Sequence, residues 1–165
     1  FKRKGLRHAI EALSHLSDRE SVRLVVVQGE ETQPFEALAE RLGVLKSIRF
    51  MGHRIDVNRF YAMSDAVIFP TLYEPFGFTI TEAMATGIPV ITSAAAGAAE
   101  LIRDGEDALL LKNPRDACEI AGHIQRLIDN KDLRNRLGKN ARACVEKLSW
   151  HNFAADVETI YERVR

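Results

Sequence analysis

The sequence predicts an α/β fold: an open parallel sheet with helices on both faces and a helical C-terminal third. Short β-branched and aliphatic runs alternate with amphipathic stretches along the first two thirds of the chain, the pattern of strand-helix-strand units. Gly or Pro punctuates several of the boundaries. With 165 residues, 46% of them apolar and 28% charged, the chain is long enough for one domain with a proper core.

The elements follow in order. The opening "FKRKG" starts on Phe with basic residues rather than a capped element, so the chain is expected to be a piece of something longer. "GLRHAIEALSHLS", "TQPFEALAERLGV", "VNRFYAMSD" and "TITEAMATG" carry apolar residues three and four apart and are predicted helices. Between them, strands are expected near 23–29, 48–52, 66–70, 88–93 and 108–112. Their apolar continuity predicts burial on both faces. From Pro114 onward "PRDACEIAGHIQRLIDN", "KDLRNRLGKNARACVEKLS" and "HNFAADVETIYERVR" read as three successive helices with short joints.

Charge and cysteine content narrow the partners. Lys+Arg and Asp+Glu number 23 each, so nothing in the balance favours nucleic acid or an anionic membrane, and any cationic function must be local. Cys118 and Cys144 have no metal-type spacing and are expected to be small core residues in a reducing compartment, without a disulfide. The apolar runs are far too short for a membrane helix and no signal-peptide pattern opens the chain, which predicts a soluble protein. His8, His15, His123 and His151 fall in helical stretches, and His53 adjoins a loop with no nucleophile or carboxylate placed beside it.

In an open parallel sheet, ligands bind at the loops leaving the carboxyl ends of the strands. "FKRKG", "GEETQ", "GHRID" and "PTLYEPFGF" all fall at such loops. In the last, Glu74 and Glu82 stand with seven residues between them around Gly77. The glycine lets backbone approach a ligand, and the following helix start presents free N–H groups and a positive dipole end to an anion. Glu82 would face either the same cavity or solvent; in the cavity its carboxylate could accept both hydrogens of a vicinal diol such as a ribose. The plainer alternative is that both glutamates only favour a helix start electrostatically.

The stretch "PTLYEPFGFTITEAMATGIPVITS" resembles the signature of the retaining GT-B glycosyltransferases of family four, glycosyl transferases group 1. The likeness runs from "RKG" through "AAGAAELIRDGEDALLL" to "SWHNFAADVETIYERV", and "FKRKGL", "FEALAERLGV" and "GHRIDV" are most similar to bacterial lipopolysaccharide core glucosyltransferases. The resemblance implies that residues 1–165 are one C-terminal, Rossmann-like donor-binding domain, half of a GT-B fold, with the N-terminal acceptor domain and the first strand outside this sequence. It implies a parent enzyme that moves a hexose from a nucleotide diphosphate sugar, UDP-hexose above all, to a glycan or lipid-linked acceptor with retention. The fragment alone would bind donor weakly and turn nothing over.

The same resemblance assigns roles. Glu74 would contact hexose hydroxyls, and the amides of Phe76, Gly77 and Phe78, with Thr79 beside them, would hold the sugar and adjacent phosphate. Glu82 would bind the ribose hydroxyls, and Arg54 would lie near base and ribose. Arg3 and Lys4 match the basic pair that neutralises the diphosphate as the glycosidic bond breaks; as bare sequence they could equally be solvated terminal charges. No metal or other cofactor is implied. The parent enzyme would be cytoplasmic, with peripheral contact at the inner face of a bacterial inner membrane. The sequence departs from the family at Ala108, where a Gly is usual, and beside Gly97, where a second Gly often stands.

Other classes stay open at this point. An epimerase or phosphorylase of GT-B type would share the sheet, and a non-catalytic interaction module would share everything but the ligand. A dinucleotide-binding oxidoreductase needs a Gly-x-Gly-x-x-Gly turn, which none of the 10 glycines makes.

Overall fold

β-branched runs and amphipathic stretches resolve into five strands and seven α-helices in a computed structural model that describes residues 2–29 and 31–164. Phe1 and Glu30, which belong to two of the candidate loops, and Arg165 lie outside the described residues. The order is α1 (Leu6–Leu13), β1 (Leu24–Val26), α2 (Gln33–Arg41), β2 (Ile48–Phe50), α3 (Val57–Ala62), β3 (Val67–Phe69), α4 (Phe78–Ala85), β4 (Val90–Ser93) and β5 (Leu109–Leu111). Then come α5 (Ala117–Asp129), α6 (Lys131–Val145) and α7 (Trp150–Arg163). Every predicted helix and strand has its counterpart, and the last third is helical as expected.

All pairings are parallel. Leu24 stands opposite Ile48, Val67 opposite Val90, and Ile91 opposite Leu109. Among the described residues the ladder hydrogen bonds divide the strands into two sheets, β1-β2 and β3-β4-β5. This differs from the single sheet expected, and the interruption lies between β1 and β3 rather than at an outer edge. A cavity of about 1000 Å³ occupies that interval, walled by Val25 and Val27 on one side and Ile68 and Phe69 on the other.

Burial on both faces holds only for β4, whose four residues are all buried because it pairs on both sides and is covered above and below. The other strands are partly exposed, and Arg49 of β2 reaches solvent. One apolar cluster joins the two sheets: Ile10 and Leu13 of α1 pack with Val26 of β1, Ile91 of β4, Leu109 of β5 and Ile120 of α5. A second, around Ile80, Met84, Val90 and Val145, seats α4 against β4 and α6. Side-chain caps start the last three helices: Asp116 accepts from the Cys118 and Glu119 amides, Asn130 from Leu133 and Ser149 from Asn152.

The cysteines need correction. Both are free, but Cys118 is exposed, because it occupies the first turn of α5 on the side away from the stripe of Ile120, Ala121 and Ile124. Cys144 is half-buried, and its thiol donates to the Leu101 carbonyl at 3.1 Å.

Candidate functional site

Because all strands run parallel, the loops leaving β1, β2, β3 and β4 emerge on one side. Backbone bonds lace them together: the Gln28 amide donates to the Gly52 carbonyl at 3.0 Å, and the Leu72 amide to the Arg3 carbonyl at 2.7 Å. The Glu74 amide donates to Ala95 at 3.2 Å, and its carbonyl accepts from Gly97 at 2.9 Å. Buried hydroxyls at the strand ends complete the lacing. Ser93 Oγ donates to the Thr71 carbonyl at 2.6 Å, and the Thr71 hydroxyl lies 3.1 Å from the Arg3 carbonyl.

Arg3 and Glu74 are brought together, with Nη2 3.6 Å from Oε2. The arginine side chain is 46% exposed and the glutamate 17%, so the carboxylate sits inside the loop cluster and the guanidinium at its rim. At this length and exposure the pair is weak, and Arg3 can exchange partners readily.

Gly77 caps α4 at φ +101°, and a Cβ there would come 2.9 Å from Ile80 Cδ1 and 3.4 Å from Glu74 Cγ. The helix begins immediately, its first intrahelical bonds running from Ile80 and Thr81 to the Gly77 carbonyl. The Phe78 and Thr79 amides precede those donors, at the positive end of the helix where an anion is favoured. Three exposed rings surround this start: Tyr73, Phe76 and Phe78, the last two with centroids 5.0 Å apart. Such rings offer flat apolar faces to a ligand's carbon skeleton.

Glu82 lies one helical stretch further along α4, exposed, and lines the large cavity together with Thr79, Lys4 and Gln28. The Lys4 ammonium sits 5.9 Å from the centre of the Phe69 ring. Gln28 adds a spare donor, its Nε2 buried with no hydrogen-bond partner. Glu82 thus borders the cavity between the half-sheets while staying open to solvent, and Glu74 is not among that cavity's lining residues. Each glutamate has its own partner from another element: Arg3 for Glu74, and for Glu82 the Tyr61 hydroxyl, which donates to Oε2 at 3.1 Å.

Arg54 is held within its own loop. Its guanidinium forms a two-pronged pair with Asp56, at 2.9 and 3.0 Å, and stacks 5.6 Å from the Phe60 ring. The pair holds the Asp56 carboxyl below its ordinary range and the guanidinium above its own. Arg54 belongs to the same side of the molecule, yet its contacts are within its own loop and α3 rather than to Glu74 or Glu82. Its neighbour His53 packs beside Gly29, whose added Cβ would lie 3.2 Å from the histidine Cβ.

Tyr61, Thr71 and Ser93 are site residues that sequence reasoning missed. The two hydroxyl residues had a faint signal, a small polar side chain at the carboxyl end of an apolar strand. Tyr61 had none, since it reads as one more apolar position of a short helix.

The description Glycosyl transferases group 1 belongs to the family that matches residues 1–144. Among curated proteins the chain is 32% identical over 164 residues to the lipopolysaccharide glucosyltransferase WaaG of Escherichia coli, covering 96% of this chain and 44% of that protein. It is 31% identical over 163 residues to an uncharacterized glycosyltransferase of Methanocaldococcus jannaschii, covering 96% and 42%. The chain therefore spans less than half the length of these relatives. Among solved structures, Anabaena HepE in complex with UDP superimposes with a TM-score of 0.89 at 26% identity, over 98% of this chain and 46% of that one.

Proposed function

Given that the chain belongs to the glycosyl transferases group 1 family, we propose that it is the donor-binding half of a retaining hexosyltransferase that uses UDP-hexose and a glycan or lipid-linked acceptor. The observation that carries the reading is that the loops at the carboxyl ends of the parallel strands bring Arg3 to Glu74 beside the glycine-capped start of α4, while Lys4, Thr79 and Glu82 line the adjoining cavity. The UDP bound in the HepE structure and the glucosyltransferase name of the WaaG relative support the choice of nucleotide and sugar.

In this reading Glu74 accepts hydrogen bonds from hexose hydroxyls, and the amides of Phe76, Gly77, Phe78 and Thr79 hold the sugar and the phosphate beside it. Glu82 takes the ribose diol, and Arg54 exchanges Asp56 for base or ribose. When the bond between the anomeric carbon and the diphosphate breaks, its electron pair goes to the phosphate oxygen, while the acceptor's hydroxyl oxygen bonds to the anomeric carbon on the same face and its proton passes to the departing diphosphate. Lys4 and Arg3 then stabilise the charge that develops there, with Arg3 leaving its long contact to Glu74. The acceptor would be held by residues outside this sequence, so the present chain binds donor without turnover. The parent enzyme would work in the cytoplasm, at the inner face of a bacterial inner membrane.

Isothermal titration of the chain with UDP tests the reading. Binding in the micromolar to millimolar range is expected, weakened roughly ten-fold by Lys4→Ala, the loss of one charge-assisted contact. No heat at millimolar UDP from folded protein would overturn it and leave the interaction module.

A further inference from the structure

Glu82 is exposed near the end of a short helix, and a free glutamate in that position samples many rotamers. Here it does not stand free. The Tyr61 hydroxyl reaches across from α3 and donates to Oε2 at 3.1 Å, with Thr79 of the first turn of α4 as a further hydrogen-bonding neighbour. Tyr61, Thr79 and Glu82 all line the cavity between the two half-sheets, so the bond lies at the wall of that cavity.

The tyrosine divides into two parts. Its ring is half-buried and packs against the cluster around Ile80, Met84 and Val90, which anchors the side chain. Its hydroxyl does nothing for that packing; it is aimed at the carboxylate. Burial, and then the charge of Glu82, push the phenol well above its ordinary range, so it stays protonated and keeps donating throughout the physiological range.

We propose that Tyr61 is a positioning residue that sets the nucleotide's sugar preference: it holds Glu82 by Oε2 so that Oε1 and the remaining lone pairs face a vicinal diol, favouring ribose over deoxyribose. The inference rests on the ribose role proposed for Glu82. Geometry supplies the reason. A carboxylate already fixed on one oxygen presents a defined pair of acceptors to two adjacent hydroxyls, whereas a freely rotating one gains as much from a single hydroxyl. Removing the 2′-hydroxyl from the ligand then leaves the fixed carboxylate with an unused acceptor, and discrimination follows.

The test is titration with UDP and 2′-deoxy-UDP of the native chain, Tyr61→Phe, Glu82→Gln and the double variant, with circular dichroism as the folding check. Native protein is expected to prefer UDP by roughly ten-fold, the scale of one hydrogen bond to a charged group. Glu82→Gln should abolish most of that preference, and Tyr61→Phe should lower it roughly three-fold, with no further loss in the double variant. The phenylalanine keeps the ring and its packing, so a merely structural role for Tyr61 would move both ligands equally and leave the ratio unchanged. That result, alongside a collapsed ratio in Glu82→Gln, overturns the proposal and spares the ribose role. An unchanged ratio in Glu82→Gln removes the ribose role and the proposal with it.

Discussion

Gly97 shows how one residue can carry a loop. A Cβ at this position would lie 2.1 Å from the Pro75 carbonyl oxygen and 3.1 Å from Phe76 Cα, while its own amide donates to Glu74. The backbone around Glu74 is thus clamped by the absence of a side chain some twenty residues later in sequence. Gly43 is a contrast, since at φ +68° its neighbourhood is empty within 4 Å and only conformational strain opposes a side chain. Gly97→Ala is expected to lower the unfolding free energy by roughly 3 kcal/mol, the upper end of the overpacking range because the clash is with backbone, and Gly43→Ala by about 1 kcal/mol. Urea denaturation of the two variants measures both, and equal costs would contradict the clamp. Gly77 was legible in the sequence because its duty is local: a turn into a helix. The duty of Gly97 is a contact between distant segments, which no local pattern encodes.

At the scale of elements, periodicity predicted α5 and α7 alike, yet the two differ in what they bury. α5 places Ile120, Ala121, Ile124 and Leu127 in the core. In α7, Trp150 is 78% exposed, Tyr161 69% and Phe153 62%, and among its described residues none is fully buried behind the Ser149 cap. A 14-residue helix without packing is marginal in water. A chain ending at Leu148 should therefore melt within about 3 °C of the full one, the equivalent of about 1 kcal/mol at this size. Native-state hydrogen exchange should also find α7 amides far less protected than those of α5. A drop of roughly 10 °C on truncation would show instead that α7 contributes to the fold. A hydrophobic pattern reports that a helix forms; it does not report whether the stripe finds a partner within the same chain.

For the whole molecule the question is what keeps two half-sheets in one unit. Ile10 and Leu13 of α1 belong to one buried cluster that takes in Val26 of one sheet and Ile91 and Leu109 of the other. Leu13→Ala is expected to cost about 3 kcal/mol, within the usual range for a fully buried leucine. Its amide exchange should show β1, β2, β3, β4 and β5 losing protection together; loss confined to β1 and β2 would mean that the halves open independently. The sequence alone determined the alternation of strands and helices, the helical C-terminal third, and the spacing of Glu74, Gly77 and Glu82. These are short-range features, written in neighbouring residues. Only the tertiary structure decided that the ladder breaks between β1 and β3, that Arg3 meets Glu74 across the end of β3, and that Tyr61 takes hold of Glu82. Each of these depends on which elements come to lie side by side, and that is set by the packing of buried surfaces far apart in the chain.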